Sequence, residues 1–521
     1  MRRLFVISDL HLGGRPDSPP GGPSGPPGTR LCRAYGPLVE FIDWVRAQPE
    51  GKAQVELVIN GDIVDFLAED DYPNGLSAEV FTADEGQVLQ KLEHIAARTR
   101  VHPGASDQPR GVFEALSDLL AAGRRLTLLL GNHDVELALP RARAWLEERL
   151  GGPEGLRLIH DGEAYCVGRA LIEHGNRYDR WNQIDHSGLR QERSIRSRRL
   201  VVEERLRGQL YFLPPAGTHL VIHFMNRIKN RYRFVDMLKP ETAAVVPLLV
   251  ALEPDYWPEI DDIVRAVPIG KAYGEHGMVE AALPRRPGDL SDDSAEPGLA
   301  AALTEALGPD AQLFPAPPLP PTAGNLADDG DGFLYQAHRW IRTRLEDLAQ
   351  KSRSLLALGK LHIARDDEAR WRQLHAAFRV LGRGNHAFDV GSEEETYHAA
   401  ARRAAREGGF QCVVYGHTHL PKKIVDPAGW TYLNTGTWAD VLRLPPMTED
   451  FDHDADTVRG LADSMAANDL APYVQRYLTF AEIEVDDEDH VTLAEIHSYC
   501  GKGKERCAPL TAHPGSEGES P

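Results

Sequence analysis

The stretch Leu126-Thr-Leu-Leu-Leu-Gly-Asn-His-Asp134 runs an apolar segment straight into the polar cluster Gly131-Asn132-His133-Asp134, and the chain repeats that design elsewhere. Residues 4–7 run into Ser8-Asp9-Leu10-His11, and residues 55–59 into Asn60-Gly61-Asp62-Ile63-Val64-Asp65. Residues 165–172 lead to His174-Gly175, and residues 411–415 end at Gly416-His417-Thr418-His419. Short apolar and β-branched runs stopped by polar residues predict buried strands. Helical spacing over residues 41–47 and 112–122 falls between the first three of them. The alternation of strand and helix predicts an α/β sheet. Residues 156–159, the turn pair Asp161-Gly162 and residues 165–172 read as a β-hairpin leading to His174. Tyr432-Leu433 and the alternating segments 480–485 and 491–497 add strands, the last two as a pair.

In open α/β sheets a ligand site forms at the carboxyl ends of the strands, which is where these clusters fall. Asp9, His11, Asp62, Asn132, His174, His417 and His419 are seven nitrogen or oxygen donors. That set is too large for one tetrahedral ion and suits two five- or six-coordinate ions sharing a carboxylate. It contains no cysteine, which excludes a thiolate zinc site or an iron–sulfur cluster as its purpose. Mn²⁺, Fe²⁺ and Zn²⁺ all suit such donors. Each cluster alone reads equally as a turn or a helix cap. What carries the metal reading is that all five occur, each after an apolar run.

The motifs and their order resemble the calcineurin-like metallophosphoesterase family, on Asp9-Leu10-His11, Gly61-Asp62-x-x-Asp65, Gly131-Asn132-His133-Asp134, His174-Gly175 and Gly416-His417-Thr418-His419. The resemblance covers about half the chain. It implies a four-layer α/β/β/α sandwich with a large, mainly helical insertion, and a pair of divalent ions. By it, Asp9, His11 and His419 hold one ion, Asn132, His174 and His417 the other, and Asp62 bridges. His133 is then the catalytic histidine outside the ligand set, oriented by Asp134. Asp65 either holds a ligand histidine by its other ring nitrogen or caps a helix. The implied reaction is hydrolysis of a phosphomonoester, phosphodiester or pyrophosphate bond by a hydroxide that bridges the ions. Family members often carry a histidine where this chain has Asn176. Asn176 and Arg177 are therefore the residues expected to contact substrate. The opening Ser8-Asp9-Leu10-His11-Leu12 and the helical insert after His174 also look like the UDP-2,3-diacylglucosamine pyrophosphohydrolases, which usually carry Arg at the position of His133 and have a much shorter insert.

The 521 residues hold 58 Lys and Arg against 78 Asp and Glu, a net charge of −20. Such a chain repels nucleic acid overall, so a small phosphorylated substrate is expected rather than DNA. A nuclease of the same family and a non-catalytic metal-bound scaffold are the alternatives. No apolar run approaches the roughly 20 residues of a membrane span. The start is basic and then apolar, but only over residues 4–7, too short for a signal-peptide core. Cysteines 32, 166, 412, 500 and 507 are few and scattered, which points to a reducing cytoplasm.

The expected organisation is a first half of the core over 1–175, a helical insertion over 176–409 with a disordered stretch near 282–331, a second half over 410–500, and a tail over 501–521. Residues 13–28, rich in Gly and Pro, read as a loop. Arg190, Arg193, Arg196, Arg198 and Arg199 crowd one helical stretch, and Arg227, Lys229, Arg231 and Arg233 another. They read as solvated faces paired with Glu192, Glu203 and Glu204, or as a cap whose guanidinium forks bind phosphate. Phe212, Met225, Phe234 and Met237 read as core of that insertion. Gly384-Asn385-His386 repeats part of the Asn132 motif after a poor strand and reads as a loop.

Overall fold

Alternate residues of strand β1 (Arg2–Ile7) face two separate cores, with Phe5 and Ile7 in one and Leu4 and Val6 in the other. A strand covered on both faces must be apolar throughout, which is why this run shows no polar alternation. In this computed structural model, residues 1–16, 28–49, 51, 53–101, 109–179, 182–198, 211–229, 233–238, 368–383, 388–467 and 469–501 are described. The readings placed on residues 17–27, 199–210, 282–331, 384–386 and 502–521 lie outside them.

β2 (Gln54–Asn60), β3 (Arg125–Leu129) and β4 (Leu156–Ile159) continue parallel from β1. On the other side β12 (Thr479–Val485) pairs antiparallel with β1, and β13 (Val491–Ser498) with β12, giving the order β13-β12-β1-β2-β3-β4. The second sheet is built from β5 (Tyr165–Val167), β6 (Ala170–Ile172), β7 (Cys412–Tyr415), β8 (Pro421–Asp426) and β9 (Trp430–Thr435) in the order β5-β6-β7-β9-β8. There β6, β7 and β9 are parallel. β10 (Val441–Leu442) and β11 (Val474–Gln475) form a short separate pair. The protein is thus a mixed α/β fold with several mixed sheets.

Three apolar clusters hold these elements. Leu4, Val6, Val58, Ile172, Val414 and Ile483 belong to one that draws on both large sheets. Phe5, Ile59 and Leu128 meet α1 (Tyr35–Arg46), α2 (Glu85–Arg98), α3 (Val112–Ala121) and α4 (Pro140–Arg149) in a second. Phe212 is buried in that second cluster, 4.9 Å from Phe81. Helix α7 (Glu395–Gly408) packs Tyr397, Ala401 and Ala405 on Val413, Tyr415 and Tyr432 in the third. Met225, Phe234 and Met237 are also buried.

The predicted hairpin is not formed as read. Residues 156–159 complete the parallel edge of the first sheet beside β3, and the chain then crosses at Asp161-Gly162 to the second sheet. The hairpin lies inside residues 165–172, turning at Gly168-Arg169, with Gly168 at φ 52°. Gly168, in the middle of the run, was the local signal for the tighter turn.

By contact density the chain divides into two compact units, residues 1–239, 386–442 and 474–521 in one, and 240–385 and 443–473 in the other. The first contains both large sheets and α5 (His186–Ser197). In the second, the described helices are α6 (Glu368–Arg383) and α8 (Phe451–Ala467), joined by a buried contact between His375 and Asp454 at 3.0 Å. No helix among the described residues is long and apolar enough to cross a membrane.

Ile483 is fully buried in the cluster shared by the two large sheets. Truncating Ile483→Ala is expected to lower unfolding stability by roughly 2–5 kcal/mol in urea titration.

Candidate metal centre

Five strand ends deliver their polar residues to one place, three from the first sheet and two from the second. β1, β2 and β3 supply Asp9 and His11, Asp62, and Asn132, while β6 and β7 supply His174 and the pair His417 and His419. The backbone is bent to do it. Asp9, His11, Asp62, His417 and His419 all have φ between 43° and 67°, the left-handed region that L side chains rarely adopt. Glycines make room beside them. A Cβ on Gly131 would sit 2.0 Å from Asp62 Oδ1, and one on Gly61, itself at φ 86°, would sit 2.3 Å from His174 Nδ1.

Three overlapping groups of donors result among the described residues, and each could hold a metal ion: Asp9, His11 and His419 form one, Asp62, His174 and His417 the second, and His11, Asp62 and His133 a third between them. In the first, His419 Nε2 is 3.2 Å from Asp9 Oδ1 and 3.0 Å from His11 Nε2. In the second, His174 Nε2 is 3.2 Å from Asp62 Oδ2, and His11 Nε2 lies 3.8 Å from that same oxygen, so Asp62 stands between the groups. Nearly all of this is buried, with Asp9 at 0% and His11, Asp62, His174 and Asn132 at 1–3% exposure.

Metal fit is tested by the buried atoms that lack a hydrogen bond. Asn132 Oδ1 has none, while Asp9 Oδ1 and His174 Nε2 are met by ion-pair contacts at 3.2 Å, to His419 Nε2 and Asp62 Oδ2. An unmet acceptor in a dry site costs about 1–3 kcal/mol, and a cation would satisfy Asn132 Oδ1 and neutralise the buried carboxylates beside it. Two imidazole nitrogens at 3.0 Å need a proton or a cation between them, which points the same way.

Four of the donors are aimed by contacts on their far sides. His174 Nδ1 donates to the carbonyl of Asn60 at 2.8 Å, turning Nε2 inward. His11 Nδ1 meets Asp65 Oδ2 at 3.3 Å. Asp9 Oδ2 accepts the backbone N–H of His417, and Asp62 Oδ1 that of His133. Such partners fix ring orientation and donor strength.

Asp65 carries more than either role expected of it. It accepts the backbone N–H groups of Leu67 and Ala68 as a turn cap, and it also meets both His11 and, through Oδ1 at 3.0 Å, His133 Nδ1. The orientation of His133 by Asp134 is therefore corrected. Both oxygens of Asp134 accept backbone N–H groups, from Gly131 and Ile63 at 2.7 Å each, and the carboxylate on the His133 ring is Asp65. Two backbone donors converging between β2 and β3 claim the adjacent side chain, while Asp65 reaches across from the next turn.

The expected substrate residues take structural contacts. Asn176 is buried and donates to the carbonyl of Asn182, and Arg177 pairs with Glu173 at 3.1 Å and donates to the carbonyl of Gly162. Arg196 pairs with Glu192 as read, but both side chains are largely buried, so the contact is not on a solvated face, while Arg198 donates to Ser194 and Arg193 to His160. Arg199 and Arg231 lie outside the described residues. Asp179, Asn182 and the end of β9 were missed. Thr435 meets Ser8 at 2.6 Å, Thr437 Oγ1 donates to the carbonyl of Asp9 at 2.6 Å, and Asn434 donates to the carbonyl of Gly416. Asn434-Thr435-Gly436 follows an apolar run as the other clusters do, and was the signal available.

Charge in the site is strongly coupled. Burial raises the Asp9 carboxyl, but His419 and His174 outweigh it and leave it near 2. Asp62 and Asp65 are held well below the carboxylate range, burial being overcome by His174 and His133 respectively. Burial lowers His174, yet Asp62 lifts it to about 9. Burial and the charge of Asp62 raise Asp134 to about 7.

No protein-family model matches the chain, and no curated protein matches it significantly.

The pH dependence follows. Without metal, the contribution of Asp9 is present above 3.8 and lost as pH falls toward 2, while that of His174 is present below 6.5 and lost as pH rises toward 9. Melting in a chelator is expected to fall between pH 6.5 and 9. Because ligands must shed protons to bind, added Mn²⁺ should raise the melting temperature more at pH 8.5 than at pH 6. A shift independent of pH would contradict this.

Proposed function

We propose that this protein is a metal-dependent phosphoesterase of the calcineurin-like type. In this reading two divalent ions sit over Asp62, and a small phosphorylated substrate is cleaved at a phosphomonoester, phosphodiester or pyrophosphate bond. The observation that carries it is the approach of His11 and His419, 408 positions apart in sequence, to 3.0 Å beside Asp9 and Asp62. The proposed architecture is a four-layer α/β/β/α sandwich bearing a helical cap. The cluster shared by the two sheets and the helices on their other faces support it.

Asp9, His11 and His419 would hold one ion and Asn132, His174 and His417 the other. Bound there, such ions supply Lewis acidity and a nucleophilic water at neutral pH. Asp62 joins the two halves of the site through its Oδ2, close to both His11 and His174. In this reading His133 would give a proton to the leaving oxygen, which its contact with Asp65 and its 14% exposure support. A phosphate entering the site would meet few competing waters, since the donors are buried.

Mn²⁺-dependent hydrolysis of bis-p-nitrophenyl phosphate, p-nitrophenyl phosphate and single-stranded DNA tests this reading. Activity on the first two is expected, with little on DNA. His133→Ala should keep its metal and lose about 10²–10⁴-fold in kcat, while Asp62→Ala should lose activity and metal together. Full activity in Asp62→Ala, or no hydrolysis of either ester, would overturn it.

A further inference from the structure

Asn176, Asp179 and Asn182, which follow the His174 strand end, are tied to one another and to the donor cluster by hydrogen bonds. Asp179 Oδ2 lies 3.0 Å from His417 Nε2, and it accepts the Asn182 amide nitrogen at 2.7 Å. Asn182 Oδ1 in turn accepts the Asn132 amide nitrogen at 3.3 Å. Asn176 fastens the far end by donating to the Asn182 carbonyl at 2.8 Å. A single polar chain, Asn132–Asn182–Asp179–His417, therefore links a donor from the first sheet to a donor from the second.

Each bond decides which atom of its partner faces inward. Asn132 gives its amide nitrogen to Asn182, so its Oδ1, buried and without a hydrogen bond, faces the cluster. The opposite amide orientation would aim N–H dipoles at a cation. With His417 Nε2–H directed to Asp179, the lone pair is left on Nδ1. In the Asp9, His11 and His419 group the outer contact of His11 is Asp65.

We propose that Asp179 and Asn182 are positioning residues for one of the two metal positions, the one formed with His174, Asn132 and His417, and set its affinity independently of the other. This rests on the two-ion reading above. The imidazole–carboxylate and carboxamide–carboxamide contacts perform for this position what Asp65 performs for His11. Removing such an outer partner typically weakens metal binding 10–100-fold.

The test uses the full chain, stripped by a chelator and titrated with Mn²⁺, with uptake followed by calorimetry and by electron paramagnetic resonance. Wild type is expected to take two ions and give the spectrum of a spin-coupled pair. Asp179→Ala and Asn182→Ala should each fill one position normally and need about 10–100-fold more Mn²⁺ for the second, showing the six-line signal of isolated Mn²⁺ at low loading. Asp179→Asn, which keeps the shape, should shift in the same direction. Arg177→Ala, in the same segment but bonded to Gly162 and Glu173 instead, should keep both ions. Wild-type filling in the Asp179 and Asn182 variants would overturn the proposal, as would an equal loss in Arg177→Ala, which would mark a general collapse of the segment. A wild type that never takes a second ion overturns the two-ion reading, and this inference with it, before any substitution is made.

Discussion

Buried carboxylates and imidazoles crowded within hydrogen-bonding reach of one another are the constraint to which the rest of this molecule answers. Asp9, Asp62 and Asp65 are almost wholly removed from water, and isolated charges in that position would be untenable. They persist because His11, His133, His174 and His419 surround them and because backbone N–H groups of residues 67, 68, 133 and 417 point at their oxygens. Five of the participating residues sit in left-handed backbone at a cost of about 1 kcal/mol or more each. Strain of that kind gathers where surrounding packing over-determines it, and such places are commonly functional.

The packing that bears the strain is the pair of sheets. Parallel strands β1, β2 and β3 end in register at one edge of the first sheet, and β6 and β7 end at one edge of the second, so donors far apart in sequence need no long loops to meet. Fully buried runs such as Leu57-Val58-Ile59 fix the strands on both faces, and the polar residues that follow inherit that rigidity. The shared apolar cluster of Val6, Val58, Val414 and Ile483 sets how closely the two edges approach. A site built on strand ends is more exact than one built on free loops.

Much of this was readable from residue order. Apolar runs that halt at Asp, Asn or His located β1, β2, β3 and β7, and the alternation over residues 480–485 and 491–497 gave the antiparallel pair β12 and β13 correctly. The sequence offers seven donors at these strand ends, and the structure brings Asp9, His11 and His419 into one group and Asp62, His174 and His417 into another, with His133 joining His11 and Asp62 in a third. What failed was partnership. Strand pairing across Asp161-Gly162 is decided by which edge is open, a property of the assembled sheet. Asp134 and Asp65 are equivalent as letters, and only the geometry of the Gly131 and Ile63 amides shows which one is left for His133. Asp179 and Asn182 were hidden for the same reason, since polar loop residues reveal a role only by what they touch.

Anomalous X-ray diffraction from crystals grown with Mn²⁺ tests the central claim most directly. Two anomalous peaks are expected, one among Asp9, His11 and His419 and one among Asn132, His174 and His417, with the Asp62 carboxylate between them. A single peak elsewhere on the chain, or none at saturating Mn²⁺, would contradict the account.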